Sequence, residues 1–231
     1  KLSEVELEKQ FNEELAIWER IKEAKEPAPL EDYIRKHPSG KFSELAQFQL
    51  DRVLAKQGEK KIEIVADAAN PFSKGTARID TKFRVGDSYS YREIDLYTKL
   101  ETGQFTNRVT EITDTEVRFN NGTLVTDPFG NIIRQAKGPQ FSPAQFFIAE
   151  YSVGKKWTSR YRITQPNGQW SDLELELKVT RREPVTVPAG TFDAYRVECE
   201  GWFLQFGVQL NVVYWIAPQV KRPIARENFR R

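Results

Sequence analysis

Val187-Pro188-Ala189-Gly190-Thr191-Phe192-Asp193-Ala194-Tyr195-Arg196-Val197 reads as the end of one strand, a tight turn at Pro188-Ala189-Gly190, and the start of the next. Upstream, Leu173, Leu175, Leu177 and Val179 alternate with Glu174, Glu176 and Lys178. Downstream, Tyr195, Val197 and Cys199 alternate with Arg196, Glu198 and Glu200. A period of two on both sides of a short turn is a hairpin of half-buried antiparallel strands. One further apolar strand leads to Tyr214-Trp215-Ile216-Ala217-Pro218.

The same reading extends toward the N-terminus. Ala77, Ile79, Thr81, Phe83 and Val85 alternate with Arg78, Asp80, Lys82 and Arg84, which predicts another strand. Turn chemistry recurs at Gly86-Asp87, Asn121-Gly122, Phe129-Gly130-Asn131 and Asn167-Gly168. Apart from a possible short helix over Pro143 to Ile148, no helical period separates these strands. Parallel crossover units are therefore excluded and a meandering antiparallel sheet is expected.

Residues 1 to 57 differ in period. Leu7, Phe11, Leu15, Trp18 and Ile21 fall on one helical stripe that should stop before Pro27 and Pro29. A short helix through Tyr33 and Ile34 should break at Pro38-Ser39-Gly40, and a third should carry Phe42, Leu45, Ala46, Leu50 and Val53. The polar stretch from Ala55 to Lys61, with Gly58, is the linker candidate. The expected class is α+β: a helical segment over 1–57, then a sheet domain over 58–231.

At 231 residues, 39% hydrophobic and 29% charged, the composition is that of an ordinary globular chain. No apolar run approaches the roughly 18 residues of a membrane helix. A net charge of +2 gives no footprint for nucleic acid. Lys221, Arg222, Arg226, Arg230 and Arg231 concentrate at the end, and read as a solvated terminus able to touch an anionic or acidic partner. The chain starts at Lys1 and has no methionine, which suggests a processed or excised piece.

Catalytic equipment is sparse. His37 and Cys199 are the only residues of their kinds and belong to different segments, so a nucleophilic dyad is not expected. No metal-ligand spacing occurs, and no cofactor is expected. Glu174 and Glu176, about 6.6 Å apart along one strand face, superficially suit a glycosidase pair; they read better as the solvated half of an alternating strand. The sequence is instead rich in aromatic residues. Phe83, Tyr91, Trp157, Tyr195, Phe206 and Trp215 are the candidates for an apolar ligand-binding face, set against plain core packing. Leu7, Phe11, Leu15 and Trp18, with Lys221, Arg222 and Arg226, are the candidates for a partner-binding surface.

Together, the Val187–Val197 stretch and Tyr214-Trp215-Ile216-Ala217-Pro218 resemble the C-terminal signature of uncharacterised secreted bacterial domains related to Lol-type lipoprotein carriers. That resemblance implies a curved sheet forming an open half-barrel, a periplasmic or secreted location with a possible envelope anchor, and a lipophilic ligand. Gln219-Val220-Lys221-Arg222-Pro223 departs from the signature, where a glycine commonly follows the Ala-Pro. Trp18-x-x-Ile21-Lys22, Asp32-Tyr33 and Pro38-x-Gly40-x-Phe42-x-x-Leu45-Ala46 resemble the tetratricopeptide-like helices that accompany bacterial caspase-like peptidases. The expectation is a non-catalytic envelope module that binds a protein partner. Its rivals are a carrier of a lipophilic small molecule and an accessory region of a caspase-like peptidase.

Overall fold

The computed structural model describes residues 3–57 and 77–230. Three helices come first: α1 (Glu4–Ile21), α2 (Pro27–Lys36) and α3 (Ser43–Gln57). Ser3 starts α1 through a capping box, its hydroxyl accepting from Glu6 N while the Glu6 carboxylate accepts from Ser3 N at 2.7 Å. Pro27 opens α2, where a missing N–H costs nothing. The predicted α1 stripe is covered by its own chain: Trp18 stacks on Phe42 at 6.1 Å and meets Tyr33 at 6.4 Å, and Phe11 lies 6.1 Å from Phe42.

The strands follow in chain order: β1 (Ala77–Arg78), β2 (Ser88–Ile94), β3 (Glu101–Ile112), β4 (Val117–Phe119), β5 (Leu124–Thr126), β6 (Ile132–Gln135), β7 (Gln140–Phe141), β8 (Glu150–Tyr151), β9 (Lys156–Thr164), β10 (Trp170–Val187), β11 (Gly190–Phe203), β12 (Val208–Ile216) and β13 (Ala225–Arg230). Eleven form one antiparallel sheet in the order β13-β12-β11-β10-β9-β7-β6-β5-β4-β3-β2; β1 and β8 pair apart from it. Each neighbour is the next strand in sequence except where β8 is skipped. The sheet is open, and side chains bridge its margins: Tyr91 Oη donates to Pro223 O at 3.1 Å, and Lys221 bonds Asp87 at 2.8 Å.

The opening hairpin forms as read. Val187 pairs with Gly190 across Pro188-Ala189, with Gly190 at φ 133°, a conformation that a side chain would oppose. Leu173 pairs with Phe203, Leu177 with Cys199 and Val179 with Val197, all turned to the core; Glu174, Glu176 and Lys178 face the other way. One buried cluster runs unbroken from Phe11, Phe42 and Leu50 on the helices to Phe129, Trp157, Leu175 and Tyr214 on the sheet. A smaller one gathers Phe83, Val109, Val117 and Phe119. The linker candidate from Gly58 onward lies outside the described residues.

Three expectations are corrected. The strand read over Ala77 to Val85 pairs only at Ala77–Arg78, because the Asp80 carboxylate accepts from Lys82 N at 2.8 Å and turns the chain. No helix forms over Pro143 to Ile148. That segment is irregular, with bends at Phe146 and Phe147, and largely buried, and side chains take its donors: Gln145 N bonds Ser159 Oγ (3.0 Å), Phe147 N bonds Asn131 Oδ1 (2.7 Å), and Ile148 N bonds Tyr151 Oη (3.1 Å). The basic C-terminal stretch is not frayed, since Ala225–Arg230 completes the sheet beside β12.

Candidate functional site

The concave face of the sheet is occupied by the chain itself. Residues 142–151 lie across it, with Phe146 and Phe147 at 5.1 and 5.2 Å from the Tyr214 ring and Tyr214 Oη donating to Phe146 O at 2.9 Å. Trp157 Nε1 donates to Gln145 O at 2.7 Å. Asn131 clamps the middle of the segment, accepting from Phe147 N and donating to Phe147 O at 3.0 Å. Asp127 in turn accepts from Asn131 N and Nδ2, both at 2.9 Å. Burial pushes the Asp127 carboxyl up to about 7 against those donors.

Of the six residues expected to line an apolar face, the structure brings together two. Trp157 and Tyr195 are both buried and each lies 6.2 Å from the Tyr151 ring. Phe83 belongs to the smaller cluster, 6.0 Å from Phe119. Tyr91 stacks on Phe105 at 5.2 Å near the sheet margin. Phe206 stands exposed in the turn between β11 and β12, and Trp215 lies on the outer face with Nε1 on Glu183 at 2.8 Å. In the expected partner surface, Leu7 and Leu15 are half-buried, and Phe11 and Trp18 fully so. Lys221, Arg222 and Arg226 turn toward rings of their own chain, Phe83 (6.0 Å), Phe119 (5.3 Å) and Phe146 (5.5 Å) respectively.

His37 packs against Tyr33 at 5.1 Å on the helices, while Cys199 sits in the sheet core. Burial pushes the Cys199 thiol up to about 12, which makes it inert as a nucleophile near neutral pH. Glu174 bonds Arg160 at 3.2 Å, whereas Glu176 lies exposed opposite Glu200.

Sequence reasoning passed over the outward end of the β2–β3 ribbon. Residues 92 to 102 are exposed on both strands, and they carry Ile94, Leu96, Tyr97 and Leu100, with Phe105 just behind. Tyr97 is 95% exposed. The loop at the tip is nevertheless tied together. Asp95 Oδ1 accepts from Tyr97 N (3.0 Å), Thr98 N (2.6 Å) and Thr98 Oγ1 (2.9 Å), and Asp95 N donates to Leu100 O at 2.9 Å. These donors hold the Asp95 carboxyl below its ordinary range. The signal was present as Leu96-Tyr97 and Leu100, large apolar residues inside a stretch with turn chemistry.

No family model and no curated protein matches the chain. The resemblance drawn from Val187–Val197 and Tyr214–Pro218 therefore rests on those residues alone. Among solved structures, a Bacteroides fragilis NCTC 9343 protein with a YmcC-like fold is similar at 12% identity and a TM-score of 0.43, over 67% of this chain and 92% of that one.

Proposed function

We infer that the chain is a non-catalytic binding module of the bacterial cell envelope, and that it engages a protein partner through the outward end of the β2–β3 ribbon. One observation carries this reading: four large apolar side chains are displayed on a loop whose backbone is fixed by Asp95. A two-stranded ribbon without a core of its own is marginal. Rigid apolar anchors lose little conformational entropy on binding, the property expected of a contact surface. A carrier of a lipophilic molecule is less well supported, because residues 142–151 already cover the concave face.

The test places a photoreactive side chain at Tyr97 and, as a control, at Glu176, in the chain expressed within a bacterial envelope. A discrete protein adduct at position 97 and none at 176 is the expected result. Equal labelling at both positions, or recovery of stoichiometric lipid from the purified chain, would overturn it.

A further inference from the structure

β2 forms one margin of the eleven-stranded sheet and β13 the other. Every neighbouring pair between them is antiparallel, and eleven strands give ten reversals, so β2 and β13 run in the same sense. The bridging contacts advance in step, Asp87 with Lys221 and then Tyr91 with Pro223, as two strands of like direction require. Such margins cannot continue the antiparallel ladder by pairing with each other, whereas one further strand running against both would continue it. A tyrosine side chain and one 3.1 Å hydrogen bond hold the margins within about two interstrand steps, roughly 9.6 Å, at this point. A single strand fits that spacing, and the edge of a second sheet does not.

The edge of β2 is equipped to receive that strand. Arg108 N donates to Asn120 Oδ1 at 2.9 Å and Thr106 O accepts from Asn120 Nδ2 at 2.9 Å, so these two residues of β3 turn their main chain away from β2. Phe105 and Asn107 therefore bond their partners Tyr91 and Tyr89, and by alternation Ser88, Ser90 and Arg92 turn N–H and C=O groups to the outer edge. Among the described residues no backbone hydrogen bond reaches that edge. The usual protections of an edge are missing along it, since β2 has no proline, its bulge comes only at Glu93/Ile94, and Ser88, Ser90 and Arg92 are exposed. Near the inner end stands Arg222, its guanidinium 5.3 Å from the Phe119 ring centre, with Nη1 3.5 Å from Gly130 O and Nε unpartnered among the described residues. No carboxylate bonds it there. A half-buried guanidinium in that state favours an incoming anionic group.

We propose that the protein partner adds an extended segment as a further strand along β2, antiparallel to it, with a carboxylate of that segment bonded to Arg222. Alternating N–H and C=O groups are matched in register only by another polypeptide backbone, so main-chain bonds to Ser88, Ser90 and Arg92 carry the affinity. Running against β2, the segment enters at the ribbon tip, beside Ile94 and Tyr97, and brings its C-terminal end to Arg222. The carboxylate is an Asp, a Glu or the chain terminus at that end. A third strand also gives the ribbon the support that two strands lack. The inference rests on the β2–β3 ribbon being the partner-binding element, and it adds how the partner lies on it.

The test selects peptides of about ten residues from a random display library against the full chain, then measures each synthetic peptide by calorimetry and amide hydrogen exchange. Binding should slow exchange at Ser88, Ser90 and Arg92. Ser90→Pro removes one outward N–H and leaves the bonds to β3, so it should weaken binding about fivefold or more, while Ser90→Ala stays within about twofold. Arg222→Gln should weaken acidic peptides about tenfold and their amide counterparts little. N-methylation of alternate peptide amides should abolish binding at one parity and be tolerated at the other, a readout that needs no variant of the protein. Failure to select any peptide, binding that leaves those three amides unprotected, equal tolerance at both parities, or undiminished binding to Ser90→Pro overturns the proposal. So does protection of the same amides that grows with the concentration of the chain alone, which would make the occupant a second copy. An undiminished adduct at position 97 in the Ser90→Pro chain sinks strand addition and leaves the ribbon as the contact surface, whereas no adduct at 97 in the otherwise unsubstituted chain removes the ribbon reading itself.

Discussion

Replacing Glu44 tests how firmly the helices and the sheet are joined. Glu44 stands in the first turn of α3 and is 1% exposed. Its Oε1 bonds Lys155 Nζ at 2.8 Å, its Oε2 accepts from Ala149 N at 2.9 Å, and its own N donates to Gln145 Oε1 at 2.9 Å. The Lys155 side chain is only 6% exposed, so solvent screens the pair little. Glu44→Ala removes one partner of this buried pair and orphans the Ala149 N–H, which should cost about 3–5 kcal/mol. For a chain of this length each kcal/mol moves Tm by about 2–4 °C, giving an expected fall of about 6–20 °C by calorimetry or circular dichroism. Glu44→Gln keeps Lys155 in place and still offers an acceptor to the Ala149 N–H, so it should be milder than Glu44→Ala. Burial raises the Glu44 carboxyl pKa in spite of Lys155. The folded chain then holds this proton more tightly than the unfolded chain does. Its stabilising contribution is present below the ordinary carboxylate pKa and is lost as pH rises through the raised folded value. Wild type should lose stability over that span relative to the Glu44→Gln variant. A Tm drop below about 2 °C for Glu44→Ala, or a Glu44→Gln chain no more stable than Glu44→Ala, refutes the reasoning.

Gly201→Ala should destabilise by about 1–3 kcal/mol or more, since a Cβ there would meet Glu174 O and Leu175 Cδ2 at 2.4 Å or closer; urea titration measures it, and an unchanged midpoint contradicts it. Cys199, 1% exposed with its thiol pushed to about 12, should resist Ellman's reagent at pH 8 in the native chain and react on unfolding in denaturant; rapid native labelling contradicts its placement. Deleting residues 1–57 should abolish cooperative unfolding, because Phe42, Leu50 and Phe129 share one cluster with Trp157 and Tyr214; a truncated chain with a sharp thermal transition would show that the sheet carries its own core.

Where polar and apolar residues alternated strictly, as from Leu173 to Val179 and from Tyr195 to Cys199, the sequence disclosed strand, face and partner together. It failed where side chains replace backbone partners. Nothing local marks Pro143 to Ile148 as irregular, because its hydrogen bonds come from Asn131, Tyr151 and Ser159. The aromatic inventory could not separate Trp157 from Trp202, since one-dimensional composition carries no burial. Parity could have done so: Trp202 alternates in phase with Glu198 and Glu200, the solvated half of β11. Lys221 and Arg222 looked like a free basic end because their partners, Asp87 and the Phe119 ring, lie far away in sequence.

The near-sequential strand order also sets a timetable. Hairpins such as β10–β11 and β2–β3 close between near neighbours, at little loop-closure cost. The helices must wait. Glu44 reaches Ala149 across 105 positions, Lys41 reaches Thr158 across 117, and Arg160 reaches Glu4 across 156. Contacts made after the rate-limiting step govern how fast a protein comes apart rather than how fast it assembles. The seam at Glu44 and Lys155 is thus the lifetime control of this molecule: loosening it should speed unfolding while leaving the folding rate of the sheet almost untouched.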